Sequence, residues 1–259
     1  MSAWLLAAEE FHAPGTGSFQ LPPIVGGIAW FTKPVLLALF SAVLVGGFFL
    51  VASRRVAMVP GRLQFVGESA YGFVRNSVAR DVIGEGFQRY APYLATLFFF
   101  VLVNNIFGII PFIQFPTMSR VSFPYVLAII AWLVFNYIGV RRAGLLGYLK
   151  GIAFPPGVPT WVYIILTPLE LVSTLIVRPV TLSLRLFANM FAGHLLLLVF
   201  ILGGEHLLAS GGLLALVSPF SFAFAIVFTF FEALVQVLQA YIFTLLTALY
   251  IAGAMSEEH

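Results

Sequence analysis

Apolar residues fill this chain in long runs, and the breaks between the runs are few. Thr32-Lys33-Pro34 supplies a helix start with proline in the first turn, and Arg54-Arg55 supplies a stop. Val35 to Ala52 lies between them. At about 1.5 Å per residue this run makes a helix of about 27 Å, enough to cross a hydrocarbon core once. Ala91 to Pro111 predicts a second span, and Tyr125 to Tyr137 lies within a third, between Arg120 and Arg141-Arg142. Trp161 to Leu202 is apolar for 42 residues. As one helix that is about 63 Å, twice a core of about 30 Å. Leu213 to Ala252 is over-long in the same way, and Gly203 to Gly212 between them reads as a turn. Either each long run is two spans, or the pair is a steeply tilted hairpin. Pro168 and Pro179 bend or interrupt the first run, but the second has only an early Ser218-Pro219. This favours the hairpin. The pattern predicts an all-α polytopic membrane protein with about five membrane-embedded helices, the last two long and tilted as a hairpin.

One helix is expected to lie differently. From Arg62 to Ile83 the apolar positions Leu63, Val66, Ala70, Phe73, Val74 and Val78 follow helical spacing, and Arg62, Glu68, Arg75, Arg80 and Asp81 fall mostly elsewhere. This predicts an amphipathic interfacial helix over 62–83. Residues 1–30, with Pro14, Gly15, Gly17, Pro22 and Pro23, read as an irregular external segment. Residues 31–259 read as a single integral membrane domain, with 161–252 as the tilted hairpin and 144–160 as a Gly/Pro-rich connection.

Charge sets the orientation. Arg54, Arg55, Arg62, Arg75, Arg80, Arg89, Arg141, Arg142 and Lys150 fall on one side of five spans, while only Lys33 and Arg120 fall on the other. The positive-inside rule then expects the N-terminus outside and the C-terminus in the cytoplasm. Met1 to Glu10 has no basic stretch leading into an apolar core, so no cleaved signal peptide is expected. Only 9% of residues are charged and 61% are hydrophobic. Zero cysteines exclude disulfides and thiolate metal sites, and His12, His194, His206 and His259 are too scattered for a metal motif. No nucleic-acid signature and no phosphate loop occur. No cofactor, metal, nucleotide or nucleic acid is expected on this chain, and the bilayer is its expected surroundings.

Against that background two polar stripes stand out. Arg178, Thr181, Arg185, Asn189 and Ala192 recur at steps of 3, 4, 4 and 3, on one face of an apolar helix. His194 falls about 180° round from Arg185 at roughly 100° per residue. Thr229, Glu232, Gln236 and Gln239 recur at 3, 4 and 3 in the last apolar run. A charge at the centre of a spanning helix costs roughly 2.5–3.5 kcal/mol, so such residues are functional candidates by default. Arginine stays charged and cannot carry a proton. In a low-dielectric wall it repels a passing proton and favours the ionised form of a nearby carboxylate. A salt bridge from Arg185 to Glu170 or Glu232 is the plain structural alternative. Arg178, near an interface, reads as snorkelling or as paired with Glu170. Glu232 and His194 can both titrate and form a proton-relay candidate, or else a hydrogen-bonded pair that fixes helix packing. Gln236 and Gln239 hold water or orient Arg185, or simply bridge helices. Ala188, Ala192 and Gly193 would admit a partner helix closely, or serve ordinary tight packing. Asn104 and Asn105 either line an aqueous access or satisfy backbone freed near Pro111. Glu205 and His206 mark a proton entrance or a solvated turn.

The run L-R-L-F-A-N-M-F-A-G-H at 184–194, followed by E-x6-Q-A-Y-I-F-T-x-L-T from Glu232, resembles subunit a of the F-type ATP synthase. The terminal S-E-E-H and the N-x-x-G-x-x-P of Asn105 to Pro111 are also similar to family patterns. The likeness covers most of residues 90–259, and its Arg–Asn–Gly spacing is highly specific. The resemblance implies a proton-conducting stator subunit in a bacterial inner membrane. Arg185 would face a rotating ring of c-subunits between two aqueous half-channels, with Glu232, His194, Asn189, Gln236 and Gln239 on the proton route. Asn104, Asn105, Glu170, Arg178, Glu205 and His206 are channel-lining candidates. The implied partners are the c-ring, b-type peripheral stalk subunits and the other ATP synthase subunits; the chain is not an enzyme by itself. Many bacterial members carry Glu at the place of His194 and His at that of Glu232, so the two types are exchanged here. A self-contained transporter or ion channel is the rival reading. The lack of an internal repeat weighs against a transporter built on duplicated halves.

Overall fold

The computed structural model describes residues 14–15, 17, 22–24, 30–54, 57–110, 113–154 and 159–256. Most of the expected external segment, Arg55, Pro111 and the acidic end Glu257-Glu258 lie outside them. Among the described residues the fold is all-α, and the one β-bridge, between Pro23 and Thr32, is isolated.

Helix α1 (Lys33–Ala52) starts after Thr32, which is extended, with Pro34 in the first turn. There the missing N–H of proline costs nothing. Helical backbone then runs from Arg62 to Ile83 as α2 (Arg62–Val74), a π-turn over Arg75–Arg80 and α3 (Asp81–Ile83). Val74, Val78 and Ala79 of this segment are buried, while Leu63, Phe65, Val66 and Phe73 are exposed. α4 (Ala91–Ile106) is a short apolar helix, and α5 (Ser122–Ala153) a long one. α6 (Tyr163–Val172) and α7 (Arg178–Ser210) flank a π-turn at Ser173–Val177 and make one helical stretch of 48 residues. α8 (Gly212–Ala215) and α9 (Ser218–Ser256) make the last, with 44 residues from Gly212 to Met255. Among the described residues, four stretches are long and apolar enough to cross a membrane, and α4 is a shorter fifth. At 1.5 Å per residue, 48 residues reach about 72 Å, so the last two stretches cannot stand upright in a core of about 30 Å and must tilt.

Three local expectations need correction. Gly203 and Gly204 do not turn the chain; α7 continues to Ser210. A Cβ at Gly204 would lie 3.1 Å from the ring of Phe222, so this glycine lets α9 approach α7. The turn belongs to Gly211 and Gly212, whose φ values of +68° and +62° suit residues without a Cβ. Glu205 and His206 therefore sit on the last turns of a helix. Pro168 and Pro179 do not interrupt the long stretch. Pro179 cannot donate a hydrogen bond, and the π-turn immediately before it widens the helix where the usual i−4 bond is missing. Finally, residues 145–153 are helical rather than a loop. Only Gly144, at φ +73°, breaks the pattern, and the chain folds back there. Tyr148 then packs on Gly139 and its hydroxyl donates to Asn136 Oδ1 at 3.0 Å.

The core joins Leu94 and Val101 of α4, Ala131 and Phe135 of α5, Leu186 and Met190 of α7, and Phe243 and Ile251 of α9. The α7–α9 interface is the most extensive helix pair. In lipid, such interfaces are held by close van der Waals packing and interhelical hydrogen bonds, since tails are as apolar as leucine. A smaller cluster, Leu37, Phe107 and Phe115, joins α1 to the opposite end of α4. This frame fixes one face of α7 inward and leaves the other uncovered.

Candidate functional site

Helical periodicity divides α7 sharply. Leu182, Leu186, Met190, His194 and Leu197 are buried in the bundle, at helical spacing. Thr181, Leu184, Arg185, Ala188, Asn189 and Ala192 are exposed. Arg185 thus projects from the bundle, on a face kept low by two alanines. Among the described residues it makes no hydrogen bond or ion pair, so the salt bridge to Glu170 or Glu232 is not formed. Arg178, two turns earlier, is placed otherwise: its guanidinium lies 5.3 Å from the centre of the Tyr250 ring on α9, a cation–π contact. Glu170 is half-buried on α6.

The stripe on α9 is inward. Glu232 is 4% exposed, Gln236 0% and Gln239 2%. Polar groups in such surroundings need partners, and α7 and α4 supply several. Asn189 Nδ2 donates to Gln239 Oε1 at 2.7 Å, across the α7–α9 interface. Gln236 Nε2 donates to Glu232 Oε1 at 3.3 Å, one turn apart on α9. From α4, Asn105 Nδ2 donates to the Gln236 backbone carbonyl at 3.3 Å. Glu232 Oε2, Gln236 Oε1, Gln239 Nε2 and Asn105 Oδ1 have no hydrogen-bond partner. The line Asn189, Gln239, Gln236, Glu232 and Asn105 is therefore one contiguous polar seam with unused donors and acceptors. Gly193 presses on it: a Cβ there would lie 3.4 Å from the Glu232 carboxyl group. A half-open cavity of about 310 Å³ lies over the seam, lined by Asn189, Ala192, Gly193, Phe228, Phe231 and Glu232 among others. Two of these, Asn189 and Ala192, belong to the uncovered face that carries Arg185.

His194 takes the other side of α7. It is 7% exposed. Lys33 Nζ donates to the Ile113 carbonyl at 2.7 Å, and Arg120 donates to Thr32 Oγ1 at 3.2 Å. Asn104 belongs to this quarter too, donating to Ser41 Oγ at 2.6 Å and to the Phe100 carbonyl at 2.8 Å. Glu205 is exposed and His206 half-buried near the end of α7. Sequence reasoning missed Ser41, Lys33 and Tyr250 as partners. The signal for Ser41 was one hydroxyl within an apolar run; for Tyr250 none was available, because 72 residues separate it from Arg178. Among the described residues no cluster of three or more His, Asp or Glu could hold a metal.

The family model described as "ATP synthase A chain" matches residues 35–252, most of the chain. The chain belongs to this family. Among its relatives, the ATP synthase subunit a of Nocardioides sp. is 49% identical, covering 97% of this chain and 95% of its own. That of Pseudarthrobacter chlorophenolicus is 48% identical, with coverage of 96% and 95%. The Rhodococcus erythropolis subunit is 41% identical over 100% of this chain and 96% of its own. Family membership and the spans together make this a multi-pass membrane protein that assembles with other ATP synthase subunits.

Proposed function

We propose that this chain is the proton-conducting stator subunit of a rotary ATP synthase, coupling proton translocation to ATP formation in a separate catalytic head. It is not an enzyme by itself. The observation that carries the reading is a permanent charge without a partner among the described residues: Arg185 stands on an uncovered face of small residues, beside a cavity walled by Glu232. A charge in that position calls for a carboxylate on another subunit, and a ring of c-subunits would supply one per passing helix. Arg185 holds each arriving carboxylate ionised and bars protons from crossing directly, so a proton must ride the ring. Glu232, with Gln236, Gln239, Asn189 and Asn105, serves one half-channel. His194 and Glu232, on different sides of α7, act as the relay pair through water between the helices, with Asn104 as lining; Arg178, Glu170, Glu205 and His206 serve nearer the mouths. Each elementary charge crossing contributes about 2.3 kcal/mol per 100 mV.

The segment 62–83 lies at the membrane surface, and residues 161–252 form the hairpin that faces the ring. The basic asymmetry supports an N-terminus outside and a C-terminus in the cytoplasm of a bacterial inner membrane. b-type stalk subunits would hold the chain against rotation. The test is purification through a tag at His259. The complex should contain c-subunits, b-type subunits and the catalytic head, and make ATP when a proton gradient is imposed. In inverted vesicles the tag should be open to protease. A chain that purifies alone and transports solute in liposomes would overturn the assignment, and a protected tag would overturn the orientation.

A further inference from the structure

Parts of three helices meet on the basic side of the chain: the start of α4, the middle of α5 and the end of α9. They enclose a half-open cavity of about 350 Å³ whose lining includes Arg89, Tyr90, Tyr137, Arg141, Arg142 and Met255. Three of the eight lining residues are arginines and none is acidic. Arg142 donates to the Met255 carbonyl, which ties α5 to α9 and fixes one wall. Arg89 and Arg141 are exposed, and their guanidinium groups make no hydrogen bond or ion pair among the described residues. Among the described residues the Arg89 and Arg141 guanidiniums have no counter-charge, and like charges so placed repel, so this wall is suited to an anion. Tyrosines fit the headgroup level of a bilayer, with an apolar ring and a polar tip.

A second observation decides what kind of anion. Below Arg141 an apolar stripe runs down the outside of α5: Tyr137 is 63% exposed, Leu133 54%, Ile130 42% and Val126 54%. The spacing of 4, 3 and 4 puts these on one helix face, in line with the cavity. A free phosphate would use the arginines and leave the stripe idle. A phospholipid uses both, with its phosphate among the guanidiniums and an acyl chain along the stripe. We infer that the Arg89–Arg141–Arg142 cavity is a binding site for the headgroup of an anionic phospholipid. Arginine forks match phosphate oxygens in geometry as well as charge. Basic pockets between spanning helices are suited to anionic headgroups for the same reason. The two glutamates that follow Met255 in sequence, Glu257 and Glu258, are the competing charge within the chain.

The test uses the whole purified complex in nanodiscs doped with photo-crosslinking phosphatidylglycerol or, separately, phosphatidylcholine. Crosslinked peptides of this chain are then mapped. Phosphatidylglycerol should label the peptides around Tyr90 and Tyr137 about tenfold more than phosphatidylcholine does, and R89Q/R141Q should remove that preference. Phosphatidylcholine labelling of α5 should persist in the variant, which reports that the helix still faces lipid. The charge-keeping R89K/R141K should retain most of the preference. Added inorganic phosphate should not compete. Equal labelling by both lipids, a preference that survives R89Q/R141Q, or full displacement by inorganic phosphate would each overturn the site.

Discussion

The outer face of α7 and the inner stripe of α9 carry the same kinds of residue and treat them in opposite ways. On α9, Glu232 is enclosed, with Gln236 as its donor and Gly193 packed against its carboxyl group. On α7, Arg185 is uncovered and has no partner among the described residues. In a membrane, an unpaired guanidinium cannot be left to solvent, so the two sites are complete to different degrees. The chain supplies most of what Glu232 needs. Among the described residues it supplies nothing for Arg185 beyond small neighbours, which is why the proposed function assigns the missing half to another molecule. On the proposed function, a site built this way is idle until assembly and becomes active only at an interface.

Five experiments break or sharpen that contrast. Arg185→Ala should have the largest effect: proton-driven ATP synthesis should fall about 10²-fold or more, the scale of losing one preorganised charge at a reaction site. Since Arg185 holds nothing within the chain, the purified complex should keep its composition. Residual coupled synthesis near the parent level would place the barrier elsewhere. Glu232→Gln keeps the shape and removes the carboxylate. Proton flux through de-energised vesicles should drop about tenfold, less than a full loss of acid–base function, because the neighbouring polar seam can hold water. His194→Glu with Glu232→His should recover more flux than the single changes predict by addition; strict additivity in that cycle would dissolve the pair.

The smaller effects are structural. Gly139→Ala puts a methyl group into the Tyr148 ring, so the fold-back at Gly144 should loosen by about 1–3 kcal/mol. Faster protease cleavage at residues 144–150 in the variant, with synthesis changed little, would report it. Smallest is the tie across the hairpin. Asn189→Ala and Gln239→Ala should show a coupling of about 0.6 kcal/mol in thermal unfolding of the complex, the usual size of an interhelical hydrogen bond in lipid. Zero coupling would mean that the seam carries protons without holding the helices.

The same contrast separates what was legible from what was not. Periodicity places Arg185, Asn189 and Ala192 on one face, because a single helix determines it. The spans were legible for the same reason. Contacts between distant segments were not: nothing near Asn105 announces that its amide meets the Gln236 carbonyl 131 residues later. Glycines misled in both directions. Gly204 looks like a turn residue and is a contact residue, since what decides it is the Phe222 ring on another helix. Gly144 sits among other glycines in a supposed loop, and it alone bends a segment whose Leu145, Leu149 and Ile152 keep helical order.

The short link between α7 and α9 bears on how the chain is made. Only residues 211–217 separate the two long helices, and a four-residue helix occupies part of them. If α9 entered the bilayer by itself, Glu232, Gln236 and Gln239 would meet hydrocarbon, at a cost of about 2.5–3.5 kcal/mol for a central carboxylate alone. A tether this short keeps Asn189 at high effective concentration beside Gln239 from the moment α9 emerges. The short link therefore suits the hairpin to insertion as one unit, with its polar seam between α7 and α9 rather than against lipid.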